Sequence, residues 1–261
     1  MLLRSPTWLW PNLLSLDAPV VAVVWQMLFA RSFHVHVPWP ATLLLAACVW
    51  MIYVADRLLD AIASQPCTAR HLFHRSHFSG FLLGLALCIL ASLALALTQL
   101  DAGVRAAGIP MTVAMAAYFA LVHAAPGSWQ KHWPKELAVA ILFALGTCLP
   151  VYSEAPSAGP AMLPPLALFA SLCWMNAVAI DRWERKQAAA WLVPLALTAS
   201  GLALALSLSG HPWLYCAAAL AAASLAWLTR RRERISLDER RVLADAVLAA
   251  PALSAWLVLL R

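Results

Sequence analysis

Long apolar runs constrain this chain more than any other feature. Of its 261 residues 63% are hydrophobic and only 11% are charged, whereas a soluble domain normally carries about a quarter charged residues. The apolar runs are about 20 residues long, which is the length that crosses the hydrocarbon core as a helix. In hydrocarbon, a spanning segment must be a helix or part of a closed barrel. Because alanine and leucine dominate without the alternation typical of barrel strands, we expect an all-α polytopic membrane protein.

The apolar runs predict nine spans, joined by segments too short to form a separate soluble domain. A single transmembrane domain over residues 1–261 is therefore expected. The predicted spans are Trp8–Ala30, Ala41–Ile62, Phe78–Leu100, Val104–Ala124, Lys135–Val151, Met162–Ile180, Ala189–Ser209, Pro212–Leu228 and Val242–Leu260.

The distribution of lysine and arginine predicts the orientation of these spans. With the amino terminus in the cytoplasm, only Arg31, Arg105 and Arg261 of the 18 basic residues fall on the other side, as the positive-inside rule requires. An odd number of spans then places the carboxyl terminus on the opposite side. The net charge of +6 thus reflects topology, and no nucleic-acid partner is expected. The six cysteines show no paired spacing that predicts disulfides or a zinc site.

The stretch YVADRLLDAIASQP closes the second predicted span with an acidic pair. Asp56 and Asp60 lie four residues apart and therefore share one face of a helix. Two carboxylates in this arrangement suit Mg²⁺, which takes one or two protein carboxylates and completes its coordination with water and substrate phosphate. The alternative is a solvated helix end at which Arg57 partly offsets Asp60. The spacing alone leaves both interpretations open.

A second acidic pair follows the sixth predicted span. Asp181 and Glu184 are three residues apart and could hold a second cation on the same side of the membrane. Arg185 stands four residues after Asp181, so an ordinary i,i+4 salt bridge explains the same residues.

Basic residues on the same side are candidates for contacts with phosphate oxygens. Arg70, Lys131 and Lys135 are the three residues considered, although the positive-inside rule also accounts for cations there. The Arg230–Arg241 cluster is better explained by topology and by attraction to anionic membrane lipids.

Three motifs resemble those of the UbiA-type intramembrane prenyltransferases. The stretch ADRLLDA, starting at Ala55, resembles the end of that family's first aspartate-rich motif, N-D-x-x-D-x-x-x-D. The longer stretch DRLLDAIASQP, starting at Asp56, is similar to the D-R-x-x-D-A-I-N-x-P seen in chlorophyll-synthase-like members. The stretch HAAPGSWQKHWPKEL, starting at His123, looks like the segment after the fourth helix, and AIDRWERK occupies the place of the second motif, D-x-x-x-D. The nine-span plan agrees with the family over the whole chain.

The resemblance implies a nine-helix bundle around a central cavity. It further implies an enzyme in which Mg²⁺ binds an isoprenyl diphosphate and the prenyl chain passes to a small, lipid-soluble or aromatic acceptor. The catalytic residues implied are Asp56, Asp60 and Asp181, and the implied metal ligands are these three with Glu184. The residues implied to contact the diphosphate are Arg70, Lys131, Lys135 and Arg185. The expected location is the bacterial inner membrane, with the site at its cytoplasmic face.

Two alternatives stay open because the motifs are incomplete. Ile52 and Tyr53 stand where the first motif of the family has Asn-Asp, and Arg185 stands where the second motif has its last Asp. A non-catalytic UbiA-like protein that binds an isoprenoid or a quinone would tolerate these changes. A membrane terpene synthase, which cyclises the prenyl cation instead of transferring it, shares the first step of the transferase.

Overall fold

The computed structural model describes residues 6–63, 69–124, 135–208 and 210–260. The described residues are helical and include no strand. The 3₁₀ turn Thr7–Leu9 precedes the helix Trp10–Leu13. The helices are α1 (Trp10–Leu13), α2 (Asp17–Ser32), α3 (Trp39–Ala63), α4 (Ala69–Ser76), α5 (Phe78–Gln99), α6 (Ala102–Ala124), α7 (Lys135–Glu154), α8 (Gly159–Glu184), α9 (Leu192–Leu206), α10 (Pro212–Arg231) and α11 (Leu237–Leu259).

Seven of the described helices are long and apolar enough to cross a membrane, namely α3, α5, α6, α7, α8, α10 and α11. The number rises to eight if the bent α1–α2 pair is counted as one span. The predicted all-helical membrane character is thereby confirmed, whereas the predicted count of nine spans is not.

The first predicted span, Trp8–Ala30, is broken. The segments Thr7–Leu13 and Asp17–Ser32 meet at an angle of 82°. Ser15, between them, has a φ of 61°, a left-handed conformation that a non-glycine residue adopts only at some cost. Asp17 then opens α2, and its carboxylate accepts a hydrogen bond from the backbone N–H of Ala18 at 3.1 Å. A negative charge is favourable at a helix amino terminus, so the polar residue restarts the helix that the bend interrupts.

The seventh predicted span, Ala189–Ser209, corresponds to a shorter helix. Helix α9 runs only over Leu192–Leu206, while Ser209 lies outside the described residues. It packs mainly on α10, where the Ser200 hydroxyl donates to the carbonyl oxygen of Ala219 at 2.9 Å.

An aromatic cluster ties α2 to the helices around it. The rings of Trp25 and Phe169 stack with centroids 4.4 Å apart, and Trp25 Nε1 donates to the carbonyl oxygen of Leu248 at 3.1 Å. Contacts of this kind bring α2, α8 and α11 together. Alanines of α10, among them Ala218 and Ala222, are buried in the same core, and such small side chains let helices approach closely in a membrane.

Helices α5 and α6 form the periphery of the described structure. Many of their apolar side chains are exposed on the protein surface, for example Leu83 at 62% and Ile109 at 65%. In a membrane protein such surfaces face lipid tails, so these helices are compatible with direct contact with the bilayer.

Polar contacts gather the charged helix ends at one end of the bundle, which we call the basic end. It contains the last turns of α3, α6 and α8 and the first turns of α2 and α11. The contacts that join these turns are Asp17–Arg57, Asp56–His123 and Glu184–Arg241. Asn176–Asp245 joins α8 to α11 about two turns further into the bundle.

Candidate functional site

The first acidic pair lies on α3 at the basic end. Asp56 and Asp60 are one turn apart in the last two turns of the helix. The Asp56 side chain is 50% exposed, and its Oδ1 lies 3.4 Å from Nε2 of His123 in α6. The acidic face of α3 is therefore accessible to a ligand and is bordered by the end of α6.

Arg57, which stands between the two aspartates in sequence, is buried. It is 3% exposed and donates to the carbonyl oxygen of Asn12 at 2.9 Å. It also donates to the Ser15 hydroxyl, and its Nη2 lies 3.9 Å from Oδ1 of Asp17. These contacts join α3 to the bend between α1 and α2, which gives Arg57 a role in holding the fold.

A buried polar cluster around Asp17 escaped the sequence analysis. The Asn12 side-chain amide donates to the Asp17 carboxylate, and Asp245 of α11 lies next to Asp17. Asn176 Nδ2 of α8 donates to Asp245 Oδ1 at 3.1 Å. A signal was present in the sequence, because Asp17 and Asp245 fall inside predicted spans. An ionisable residue there is by default a functional hypothesis.

The carboxylates of the second acidic pair are both bound by arginines. Asp181 Oδ1 lies 2.9 Å from Arg185 Nε, which is the i,i+4 pair that the sequence offered as an alternative. Glu184 Oε1 lies 2.5 Å from Nη2 of Arg241, whose side chain is only 1% exposed. Arg241 also approaches Asp238 at 3.4 Å. This pair therefore joins α8 to the first turn of α11.

Of the four residues predicted to contact the diphosphate, the structure describes the side chains of two, Lys135 and Arg185. Lys131 lies outside the described residues, and of Arg70 only its place in α4 is described. Lys135 begins α7, which packs against α6, and is half-buried. Arg185 is 57% exposed while bound to Asp181. A diphosphate-binding role for these residues stays a prediction.

The two acidic pairs differ in how well they fit Mg²⁺. Asp56 and Asp60 match the one or two carboxylates that this ion takes from a protein when water and phosphate complete its coordination. Asp181 and Glu184 fit poorly in this arrangement, because arginines already neutralise them. Within the described ranges, no group of three or more His, Cys, Asp or Glu side chains could hold a metal ion. A magnesium ion on α3 stays a prediction.

A cavity of about 940 Å³ opens at the other end of the bundle. We call it the α2–α3 cavity, because residues of α2 and the first turns of α3 line it, together with the 35–38 segment and Trp256 of α11. It is not the central cavity that the family resemblance implies, and that expectation is not confirmed.

The chemistry of the chain's own residues is the basis for assigning a function. No protein-family model matches this chain, and neither a curated protein nor a solved structure matches it.

Proposed function

We propose that this chain is a membrane enzyme that binds an isoprenyl diphosphate at the acidic face of α3 and transfers the prenyl chain to a small or lipid-soluble acceptor. The observation that carries the proposal is the position of Asp56 and Asp60. They lie one turn apart on an accessible helix end, with His123 3.4 Å from Asp56. Both are also the residues through which the sequence resembles the first motif of the UbiA-type prenyltransferases.

In this proposal Asp56 and Asp60 hold Mg²⁺, which when bound neutralises the charge that develops on the leaving diphosphate. Lys135, with Arg70 and Lys131, contacts the phosphate oxygens. The apolar side chains of the neighbouring spans hold the prenyl chain and exclude water from the reacting carbon. The bond between that carbon and the diphosphate oxygen breaks, and the acceptor forms the new bond and loses a proton. In this proposal the same end of the bundle faces the cytoplasm, as the positive-inside rule predicts.

The second acidic pair contributes differently in the proposal. By resemblance, Asp181 and Glu184 are further Mg²⁺ ligands. Their ion pairs favour another arrangement, in which the exposed Arg185 takes the place of a second metal ion. Its guanidinium supplies the positive charge, and Asp181 orients that guanidinium. A guanidinium is well suited to this, because its fork of N–H donors matches phosphate oxygens.

The same ion pairs favour one alternative function. A protein that binds an isoprenoid or a quinone without chemistry needs no second metal site, and Arg185 and Arg241 occupy the carboxylates that would form one. Turnover distinguishes this alternative from the enzyme.

The experiment is a measurement of Mg²⁺-dependent pyrophosphate release by the purified protein from isoprenyl diphosphates of different chain lengths, with and without aromatic and lipid acceptors. We expect release that Asp56→Asn abolishes. Asp101→Asn is the matched control, because Asp101 is exposed in the connection between α5 and α6 at the opposite end of the bundle. Absence of release under every condition overturns both enzymatic interpretations, and release without an acceptor together with a cyclic product identifies a terpene synthase.

A further inference from the structure

One residue that lines the α2–α3 cavity has a buried amide without a hydrogen-bond partner in the described part of the chain. Gln26 lines the cavity and is 1% exposed. Neither its Nε2 nor its Oε1 has a hydrogen-bond partner among the described residues. Leaving a buried polar group unpaired costs on the order of 1–3 kcal/mol. An unpaired Gln26 in the middle of an apolar helix therefore lowers the stability of the folded protein.

The surroundings of Gln26 are mostly apolar. Valines, alanines, prolines and two tryptophans provide most of the wall, and Thr42 adds one hydroxyl group. Ligand sites in proteins have this composition: an apolar lining with a few polar groups that fix orientation. The volume of about 940 Å³ is also in the range of such sites, which is roughly 300–1,000 Å³.

The cavity is open at its side. Trp39 and Leu43, which line it on α3, are 68% and 51% exposed. Exposed apolar side chains on a membrane helix face hydrocarbon, so a lipid can enter from the bilayer without crossing water.

The buried polar group of the cavity wall favours a neutral ligand. Arg31 and His36 also line the cavity, and the Arg31 Nε donates to the carbonyl oxygen of Leu259 at 2.9 Å, which already uses part of its guanidinium. Gln26, the polar group that lies deeper along α2, is neutral and offers one kind of donor and one acceptor. A hydroxyl group complements it fully, because it both donates and accepts, whereas a carboxylate only accepts.

We propose that the α2–α3 cavity binds a neutral lipid that carries a hydroxyl group, with that group paired to the Gln26 amide. The amide atoms are covered by neighbouring side chains, so pairing includes a rotation of Gln26 about its side-chain bonds. The chain of the lipid lies along Trp39 and Leu43. This site is separate from the acidic face of α3: Ala46 at the cavity and Asp56 are ten residues apart on one helix, or about 15 Å.

The test is photo-crosslinking of the purified full chain in lipid nanodiscs with diazirine-bearing probes. Two probes carry a hydroxyl group, an isoprenoid alcohol and a diacylglycerol, and each has a matched hydrocarbon without it. Labelled peptides are identified by mass spectrometry. We expect the hydroxyl probe to label the segments 23–31 and 35–46 at about one-tenth of the concentration that its hydrocarbon needs, the tenfold preference that about 1.4 kcal/mol of hydrogen bonding provides.

Gln26→Leu should remove this preference, because leucine keeps the volume and lacks the amide. Gln99→Leu is the matched control, since Gln99 is exposed at the end of α5 and its replacement should leave the preference unchanged. If Gln26→Leu does not fold, Gln26→Met, with a flexible unbranched side chain, replaces it. Preferential labelling by either alcohol supports the site and identifies the source of the hydroxyl group. Equal labelling by alcohols and hydrocarbons, or an unchanged preference without Gln26, overturns the proposal.

Discussion

Arg57 and Asp17 form a buried ion pair that joins α3 to α2. Arg57 Nη2 lies 3.9 Å from Asp17 Oδ1, and the two side chains are 3% and 9% exposed. The pair sits at the bend between α1 and α2, where Ser15 has left-handed backbone angles. The guanidinium also donates to the carbonyl oxygen of Asn12, so one side chain neutralises Asp17 and satisfies a buried backbone carbonyl at the bend.

Arg57→Leu should therefore destabilise the protein strongly. It leaves the Asp17 carboxylate without its cation, and breaking a buried pair from one side costs about 3–5 kcal/mol. The free energy of unfolding can be measured by titration with a denaturing detergent in mixed micelles. Arg75→Leu is the matched control, because Arg75 is exposed on α4 and such a change is usually within about 0.5 kcal/mol. Equal, small losses for both variants would show that Arg57 does not hold the bend.

Arg241→Met should act in the same way on the contact between α8 and α11. Arg241 is 1% exposed and binds Glu184 and Asp238, so its removal leaves two carboxylates uncompensated. We expect a loss of about 1–3 kcal/mol in the free energy of unfolding, because the two carboxylates left behind are 30% and 39% exposed and water partly solvates them. The same change at Arg231, which is exposed at the end of α10, should have little effect. If the two variants unfold alike, Glu184 is not held by Arg241 in the membrane and becomes a better candidate for a metal ligand.

The sequence predicted the helical membrane architecture well, because the length and composition of an apolar run decide whether it can span. It predicted the bounds of α3 and α5 to within a few residues for the same reason. The bend near Ser15 was missed, since the leucines on both sides of it continue the apolar pattern and a left-handed serine leaves no compositional trace. Asp17, the one charge in that run, was the available signal.

The candidate site was predictable only in part. The shared face of Asp56 and Asp60 follows from helical spacing. Spacing does not, however, reveal which cation a carboxylate binds when several are near. Asp181 forms an ion pair with the local residue Arg185, whereas Glu184 pairs with Arg241, which is 57 positions away in sequence. Long-range choices of this kind depend on how α8 packs against α11, and no local pattern encodes it.

Asp60→Asn should raise the Mg²⁺ concentration needed for half-maximal pyrophosphate release. Removing one of two carboxylates that share an ion weakens its binding, while the isosteric amide keeps the shape of the helix end. We expect an increase of about tenfold, which corresponds to about 1.4 kcal/mol, and no change in the free energy of unfolding. The measurement is a titration of activity with Mg²⁺ at saturating isoprenyl diphosphate. Asp101→Asn serves again as the control. An unaltered Mg²⁺ requirement in the Asp60 variant would remove Asp60 from the site.

Asp245→Asn should be tolerated, whereas Asp245→Leu should not. Asn176 Nδ2 donates to Asp245 Oδ1 at 3.1 Å, and the carbonyl oxygen of an asparagine accepts that bond equally well. The new amide can also donate to Asp17, beside which Asp245 lies, so both contacts are kept without a second carboxyl group next to Asp17. We expect the free energy of unfolding to stay equal or to rise by about 1 kcal/mol. Leucine offers neither contact and should cost about 1–3 kcal/mol, because it leaves polar partners unpaired.

If asparagine destabilises as much as leucine, the negative charge itself is needed, as a second counter-ion for Arg57. If asparagine instead preserves stability but abolishes pyrophosphate release, the cluster takes part in the chemistry and is more than a support for the bend.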